Sequence, residues 1–169
     1  MSGNVARIGV TRSMHLIDAE NLCGTSLVTS QQIVRLKAVY LASVKVGPLD
    51  HFILAASHLS VLALQAGWSG ARYLMRSGKD GADIELAKVV VHENLDTRFD
   101  HVYFGSGDGG LAPFAAHLGD RGIPVTAVTR IGSLSPRMKL ATKDVIYLDR
   151  PGIAVLHSVG PNHTTKATS

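Results

Sequence analysis

Short apolar runs alternate along this chain with longer stretches of helical periodicity, and this alternation limits the fold more than any other feature. It is the pattern of β-α units around a parallel sheet whose strands are buried on both faces. Strands are expected near 13–18, 51–55, 71–75, 101–105, 124–129 and 145–148, with helices between them at 30–45, 58–66, 82–95, 110–120 and 134–141. Gly47-Pro48, Gly67, Gly119 and the stretch Gly122 to Pro124 supply the stops. The fold class is therefore α/β with a mostly parallel sheet.

Right-handed crossovers bring the C-terminal ends of all such strands to one rim, where ligands of open α/β sheets bind. That rim is expected to carry Asp18, Glu20 and Asn21 after the first strand, and Ser57 and His58 after the second. Arg76, Ser77 and Lys79 follow the third strand, Ser106 and Asp108 the fourth, and Thr129 and Arg130 the fifth. Carboxylates far apart in sequence but gathered at one rim make a hard-cation site, because Mg²⁺ takes oxygen ligands and is usually held by one or two carboxylates beside a substrate phosphate. Asp18, Asp83 and Asp108 are the candidates. Each has a structural reading as well: Asp18 and Asp108 as turn or helix caps, and Asp83 as a first-turn acid behind an Asp80 cap.

On the helix of 82–95, Ile84, Ala87, Val91 and Leu95 mark an apolar stripe, and Asp83 lies beside Ala87 and Val90 at spacings of four and seven. Its carboxylate should border the packed face, where an acid needs a cation or hydrogen bonds. Glu85 points to another face as a solvated charge.

The loop Gly105-Ser106-Gly107-Asp108-Gly109-Gly110 has a competing reading. It matches the Gly-x-Gly-x-x-Gly dinucleotide fingerprint between a strand and a helix, with Arg130 ending the next strand as a partner for a 2′-phosphate in an NAD(P)-binding protein. Only about forty residues of the described pattern follow it, few for the rest of such a domain.

At 169 residues, with 46% hydrophobic and 18% charged residues, the chain reads as one globular domain over 13–150, a flexible segment over 1–12 and a tail over 151–169. The net charge of +4 mildly favours an anionic partner. A single cysteine, Cys23, excludes an internal disulfide, fits a reducing cytoplasm and is read as a small apolar residue. No export signal or membrane span is expected, and the eight histidines lack paired metal-ligand spacing. Neither a Gly-x-Ser-x-Gly elbow nor a phosphate-loop Gly-Lys-Ser/Thr occurs, so the serine hydrolase and P-loop readings lack their central motifs.

Taken in order, Leu16-Ile17-Asp18-Ala19-Glu20-Asn21, Ala82-Asp83-Ile84-Glu85-Leu86-Ala87, Gly105-Ser106-Gly107-Asp108, the Pro113 helix running to Gly122-Ile123-Pro124-Val125, and Leu134 to Asp149 resemble the NYN domain, a branch of the PIN-like ribonucleases. The resemblance covers the chain from about Met14 to Asp149. It implies a three-layer α/β/α sandwich and a Mg²⁺- or Mn²⁺-dependent endoribonuclease, with Asp18, Asp83 and Asp108 holding the metal and Asn21 beside them. Ser106, Lys79 and Arg130 would contact the substrate. RNA is the implied partner, a homodimer is compatible with the resemblance, and no membrane partner is expected. The chain departs from the family at two points: Gly110 and Leu111 stand where members usually carry a second Asp and a Phe, and Val89 where some carry a further acid. Fewer carboxylates weaken the hold on a cation, so the second reading is a domain that binds RNA or a protein partner without cutting.

Overall fold

The computed structural model of the protein describes residues 10–148. The expected strands form β1 (Ser13–Asp18), β2 (His51–Ala56), β3 (Arg72–Met75), β4 (His101–Gly105), β5 (Val125–Arg130) and β6 (Asp144–Leu148). They lie in the order β3-β2-β1-β4-β5-β6, each neighbour parallel to the next. The sheet expected to be mostly parallel is thus wholly parallel among the described residues. The chain runs outward from β1 in one direction, then returns and runs outward in the other, so the order reverses between β1 and β4.

Among the described residues seven α-helices cover the two faces: α1 (Ala19–Cys23), α2 (Ser30–Ser43), α3 (Val61–Gly67), α4 (Gly81–His92), α5 (Leu95–Arg98), α6 (Ala112–Asp120) and α7 (Pro136–Ala141). Successive strand residues face opposite ways. Met14 and Leu16 pack with Leu86, Val89 and Val90 of α4 and with Ala115 and Leu118 of α6, whereas Ile17 packs with Ile33, Leu36 and Tyr40 of α2 and with Leu64 of α3. Two separate cores, one on each side of a fully buried β1, make the three-layer α/β/α sandwich. Local chemistry sets the ends of α2: Thr29 Oγ1 accepts from Gln32 N (3.2 Å) while Gln32 Oε1 accepts from Thr29 N (2.8 Å), a reciprocal cap.

Several boundaries differ from expectation for identifiable reasons. The helix expected at 82–95 ends at His92, and Asn94 takes a left-handed φ of 47° before the short α5. The helix expected at 110–120 begins as a 3₁₀ turn over Gly109–Leu111. The five-residue α1 is too short to show a periodicity. The expected apolar stripe of α4 is also corrected. Ala82, Leu86, Val89 and Val90 are its packed residues, while Ile84 and Val91 are exposed. The segment read as 1–12 lies, apart from residues 10–12, outside the described residues, as does the tail 151–169. Among the described residues no helix is long and apolar enough to cross a membrane.

A polar ring lies inside the sheet layer. His15 on β1 is fully buried, stacked between Phe52 (centroids 4.4 Å apart) and Tyr103 (4.7 Å). Its Nδ1 lies 3.0 Å from Tyr40 Oη and its Nε2 3.1 Å from Asp50 Oδ2. Asp50 in turn accepts from the amides of Ser13 and Gly47. Burial is the main reason the imidazole is pushed down to about 4, against the pull of Asp50. His15 is therefore neutral, with both ring nitrogens engaged.

Candidate acidic site at the strand-order reversal

The last residue of β1, Asp18, and the loop after β4 flank the crevice where the strand order reverses, with Ile17 paired opposite Gly105. A β-carbon on Gly105 would come 3.0 Å from Ile17 Cγ1, so a glycine here lets the two central strands deliver their tips side by side. Helix α4 reaches the same rim from the far side. It follows the edge strand β3, packs over β2 and β1 on its way to β4, and its first turn carries Asp83.

Two of the three acids are caps, as their structural reading held. Asp18 Oδ1 accepts from Asn21 N (2.9 Å) at the start of α1, and Asp108 Oδ1 accepts from Gly110 N (2.7 Å) at the 3₁₀ turn. Asp83 is different. It is only 9% exposed, and its Oδ1 is buried with no hydrogen-bond partner among the described residues. Asp80, expected to cap α4, sits at the N-cap in a left-handed conformation (φ 57°) and makes no capping hydrogen bond with its side chain.

The acids are close enough to feel one another. A β-carbon on Gly110 would lie 3.1 Å from Asp83 Oδ2 and 3.3 Å from Asp108 Oδ1, so both oxygens border one small space. Burial, then the negative charges of Asp108, Asp18 and Asp80, push the Asp83 carboxyl up to about 7. Burial also dominates at Asp18, where Glu20 and Asp108 add to it and the amides of Asn21 and Glu20 oppose it; the result is about 6. Desolvated carboxylates that repel each other are what a bound cation relieves. Among the described residues no three His, Cys, Asp or Glu side chains form a ready-made metal-ligating group. Asp83 and Asp108 fit as a pair, the number of carboxylates Mg²⁺ commonly takes beside water and phosphate.

The remaining candidates divide. Asn21 joins the site: its Oδ1 accepts from Gly107 N (3.3 Å) and its carbonyl from Arg130 Nε (3.1 Å), which ties α1 to the β4 loop and to the end of β5. Arg130 lies against Gly24, whose left-handed φ of 71° closes α1, and this packing commits its guanidinium to the fold. Ser106 is fully buried and its Oγ accepts from Asp108 N (3.2 Å), so it shapes the loop from beneath. Lys79 is exposed in the loop between β3 and α4 and does not line the acid pocket. Cys23 is half-buried against the α2 core, and burial pushes its thiol up to about 11, consistent with an inert apolar role.

Glu20, two residues past the β1 tip, is engaged through one oxygen: Oε1 accepts from Ser57 N (3.1 Å), Ser57 Oγ (2.6 Å) and Ser60 Oγ (2.8 Å). Gly107 likewise has an internal explanation. A β-carbon there would overlap the carbonyl of Ser133 and come 2.5 Å from Thr129 Oγ1. Gly105 and Gly107 thus serve the chain's own close packing, and the loop follows β4, whereas the dinucleotide fingerprint belongs after β1.

A groove of about 430 Å³ opens from the acids between α4 and α6. Ile84, Ala87 and Val91 form one wall and Phe114 stands opposite, with Lys88 between Ala87 and Val91 and His92 at the end of α4. The sequence gives little warning of it, because Ile84, Ala87 and Val91 have the spacing of a core-facing stripe.

No protein-family model matches this chain, and no curated protein matches it. A solved structure that is similar is the crystal structure of a protein of unknown function from Vibrio parahaemolyticus RIMD 2210633, with a TM-score of 0.62 at 15% sequence identity, covering 88% of this chain and 97% of that one. At that identity the likeness extends to the fold alone.

Proposed function

We propose that the protein is a metal-dependent endoribonuclease of the NYN type, acting in the cytoplasm on RNA phosphodiester bonds at the crevice between β1 and β4. One observation carries this reading: Asp83, nine-tenths buried with an unpartnered oxygen, borders the same small space as Asp108. Leaving such an oxygen without a partner is costly, and a cation is the partner that suits it. The order and spacing of the motifs that resemble NYN domains support the same assignment, as does the basic net charge of +4.

Asp83 and Asp108 are the residues that would hold Mg²⁺ or Mn²⁺, with Asp18 close by and Asn21 fixing the loop between them. When bound, such an ion neutralises charge developing on the phosphate and lowers the pKa of a coordinated water. Asp18, buried at the tip of β1 beside that pair, is the carboxylate placed to accept a proton from an attacking water. The test is incubation of the purified protein with a mixed RNA pool, with each ion and with chelator. Chelator-sensitive cleavage that Asp83→Asn and Asp108→Asn abolish is the expected result, while undiminished, chelator-resistant cleavage in either variant overturns the reading.

Gly110 favours a second reading, in which the domain binds RNA without cutting it, since the space that a further carboxylate would fill holds only a hydrogen. Retention of labelled RNA by a protein that produces no fragments with either ion distinguishes it.

A further inference from the structure

The groove beside the acids has the composition of a base-binding site. Its wall on α4 is built from residues the helix does not need for its core: Ile84 is 37% and Val91 56% exposed, while Leu86, Val89 and Val90 pack inward. Phe114, half-buried on α6, supplies an aromatic ring opposite. From Asp83 to His92 the helix rises about 13 Å, long enough to extend one nucleotide beyond a phosphate held at the acids. The character changes along that length, from carboxylate to apolar wall to His92 beyond Val91, while Lys88, between Ala87 and Val91, is paired with Glu85 Oε1 (2.7 Å). A metal-held phosphate, a stacked base and a following phosphate would meet these three zones in the same order. A purely hydrophobic ligand leaves the acids unexplained, and a simple cation leaves the aromatic and aliphatic walls unused.

Resting on the ribonuclease reading, we propose that the groove between α4 and α6 is a nucleoside subsite, which takes the base adjoining the phosphate at the acidic crevice and stacks it on Phe114. Base stacking on an aromatic ring tolerates every base, so the subsite adds affinity with little sequence preference.

The test compares two probes, adenosine 5′-monophosphate and inorganic phosphate, each titrated with Mg²⁺ into the protein and followed by NMR. The nucleotide is expected to bind about tenfold more tightly than phosphate, a factor within the range of one stacked base, and to shift the methyl signals of Ile84 and Val91. Phe114→Leu, which keeps most of the apolar volume, and Val91→Glu, at an exposed position, should each remove that advantage and leave phosphate binding unchanged. Equal binding of the two probes, or a nucleotide advantage that survives both variants, overturns the subsite. The ribonuclease reading fails separately: a nucleotide advantage that depends on Phe114, in a protein that cuts no RNA, keeps the subsite and removes the enzyme. Cleavage of RNA by Phe114→Leu and Val91→Glu with unchanged KM and kcat keeps the enzyme and removes the subsite.

Discussion

Gly110 stands directly over Asp83: a β-carbon on the glycine would lie 3.1 Å from the Asp83 Oδ2 atom. Position 110 therefore faces the acidic space itself, and a carboxylate placed there joins Asp83 and Asp108. Gly110→Asp should bind Mn²⁺ more tightly than the parent by titration calorimetry and cut RNA faster. Without divalent ions it should melt lower, because a further negative charge enters a desolvated cluster. Gly110→Ala separates the effect of bulk from that of charge, and unchanged Mn²⁺ affinity in Gly110→Asp would show that the position does not face the ion.

Replacing the buried acid should trade function for stability. Asp83→Asn removes a carboxyl whose ionisation burial and neighbouring charges oppose. At pH 8 without divalent ions, the variant should gain on the order of 2 kcal/mol, or roughly 5 °C in melting temperature, while losing cleavage. A lower melting temperature under those conditions would mean that Asp83 has a stabilising partner.

The pH dependence of stability should show two opposed contributions. Asp18 and Asp83, at about 6 and 7 when folded and near 3.8 when unfolded, make the folded state the stronger proton binder across that interval, so their contribution falls as pH rises. His15, at about 4 when folded against 6.5 unfolded, does the reverse, and its contribution grows from pH 4 to 6.5. Two acids against one histidine leave the parent losing stability from these groups as pH rises from 4.5 to 6, by up to about 1.4 kcal/mol per unit. Asp83→Asn should change little over the same range, because Asp18 and His15 then oppose each other one against one. Urea midpoints at constant m-value measure it.

Glu20 should prove structural. Its three hydrogen bonds tie the β1 tip to the turn between β2 and α3, and Glu20→Ala leaves the two serines without their acceptor. A loss of roughly 2 kcal/mol in urea unfolding is expected, with Mn²⁺ affinity unchanged within twofold. A collapse of metal binding would instead make Glu20 a ligand.

Gly107 should tolerate no side chain. Gly107→Ala drives a methyl group into the Ser133 carbonyl, which also displaces Ser135, whose amide donates to the Gly107 carbonyl (2.9 Å). Lowered melting and weaker RNA binding should appear together, because the same loop carries Asp108.

The strands were readable because a sheet buried on both faces needs continuous apolar runs bounded by turns, and β1 and β4 fall where those runs predict. The placing of Asp18 and Asp108 at one rim was readable from crossover handedness, whereas Asp83 was marked by its helical spacing beside the packed face. The inward face of α4 was not, since Ile84-Ala87-Val91 and Leu86-Val89-Val90 are both apolar at helical spacing, and periodicity cannot choose between two such stripes. The internal partners of Ser106 and Arg130 were unreadable for a related reason: a rim residue can be turned into the fold as readily as toward a ligand, and only Asp108, Asn21 and Gly24 reveal which. The buried His15 lay within an apolar run, where nothing local signals Asp50 thirty-five positions away.

The start of α4 is pressed so closely against the end of β3 that a β-carbon on Gly81 would overlap the Arg76 carbonyl. The helix that carries Asp83 is thereby clamped to the outermost strand, whereas Asp18 belongs to the middle of the sheet. The gap between these acids consequently works as a caliper with one jaw on the rim strand, and remodelling that peripheral strand would retune the crevice without altering a single residue inside it.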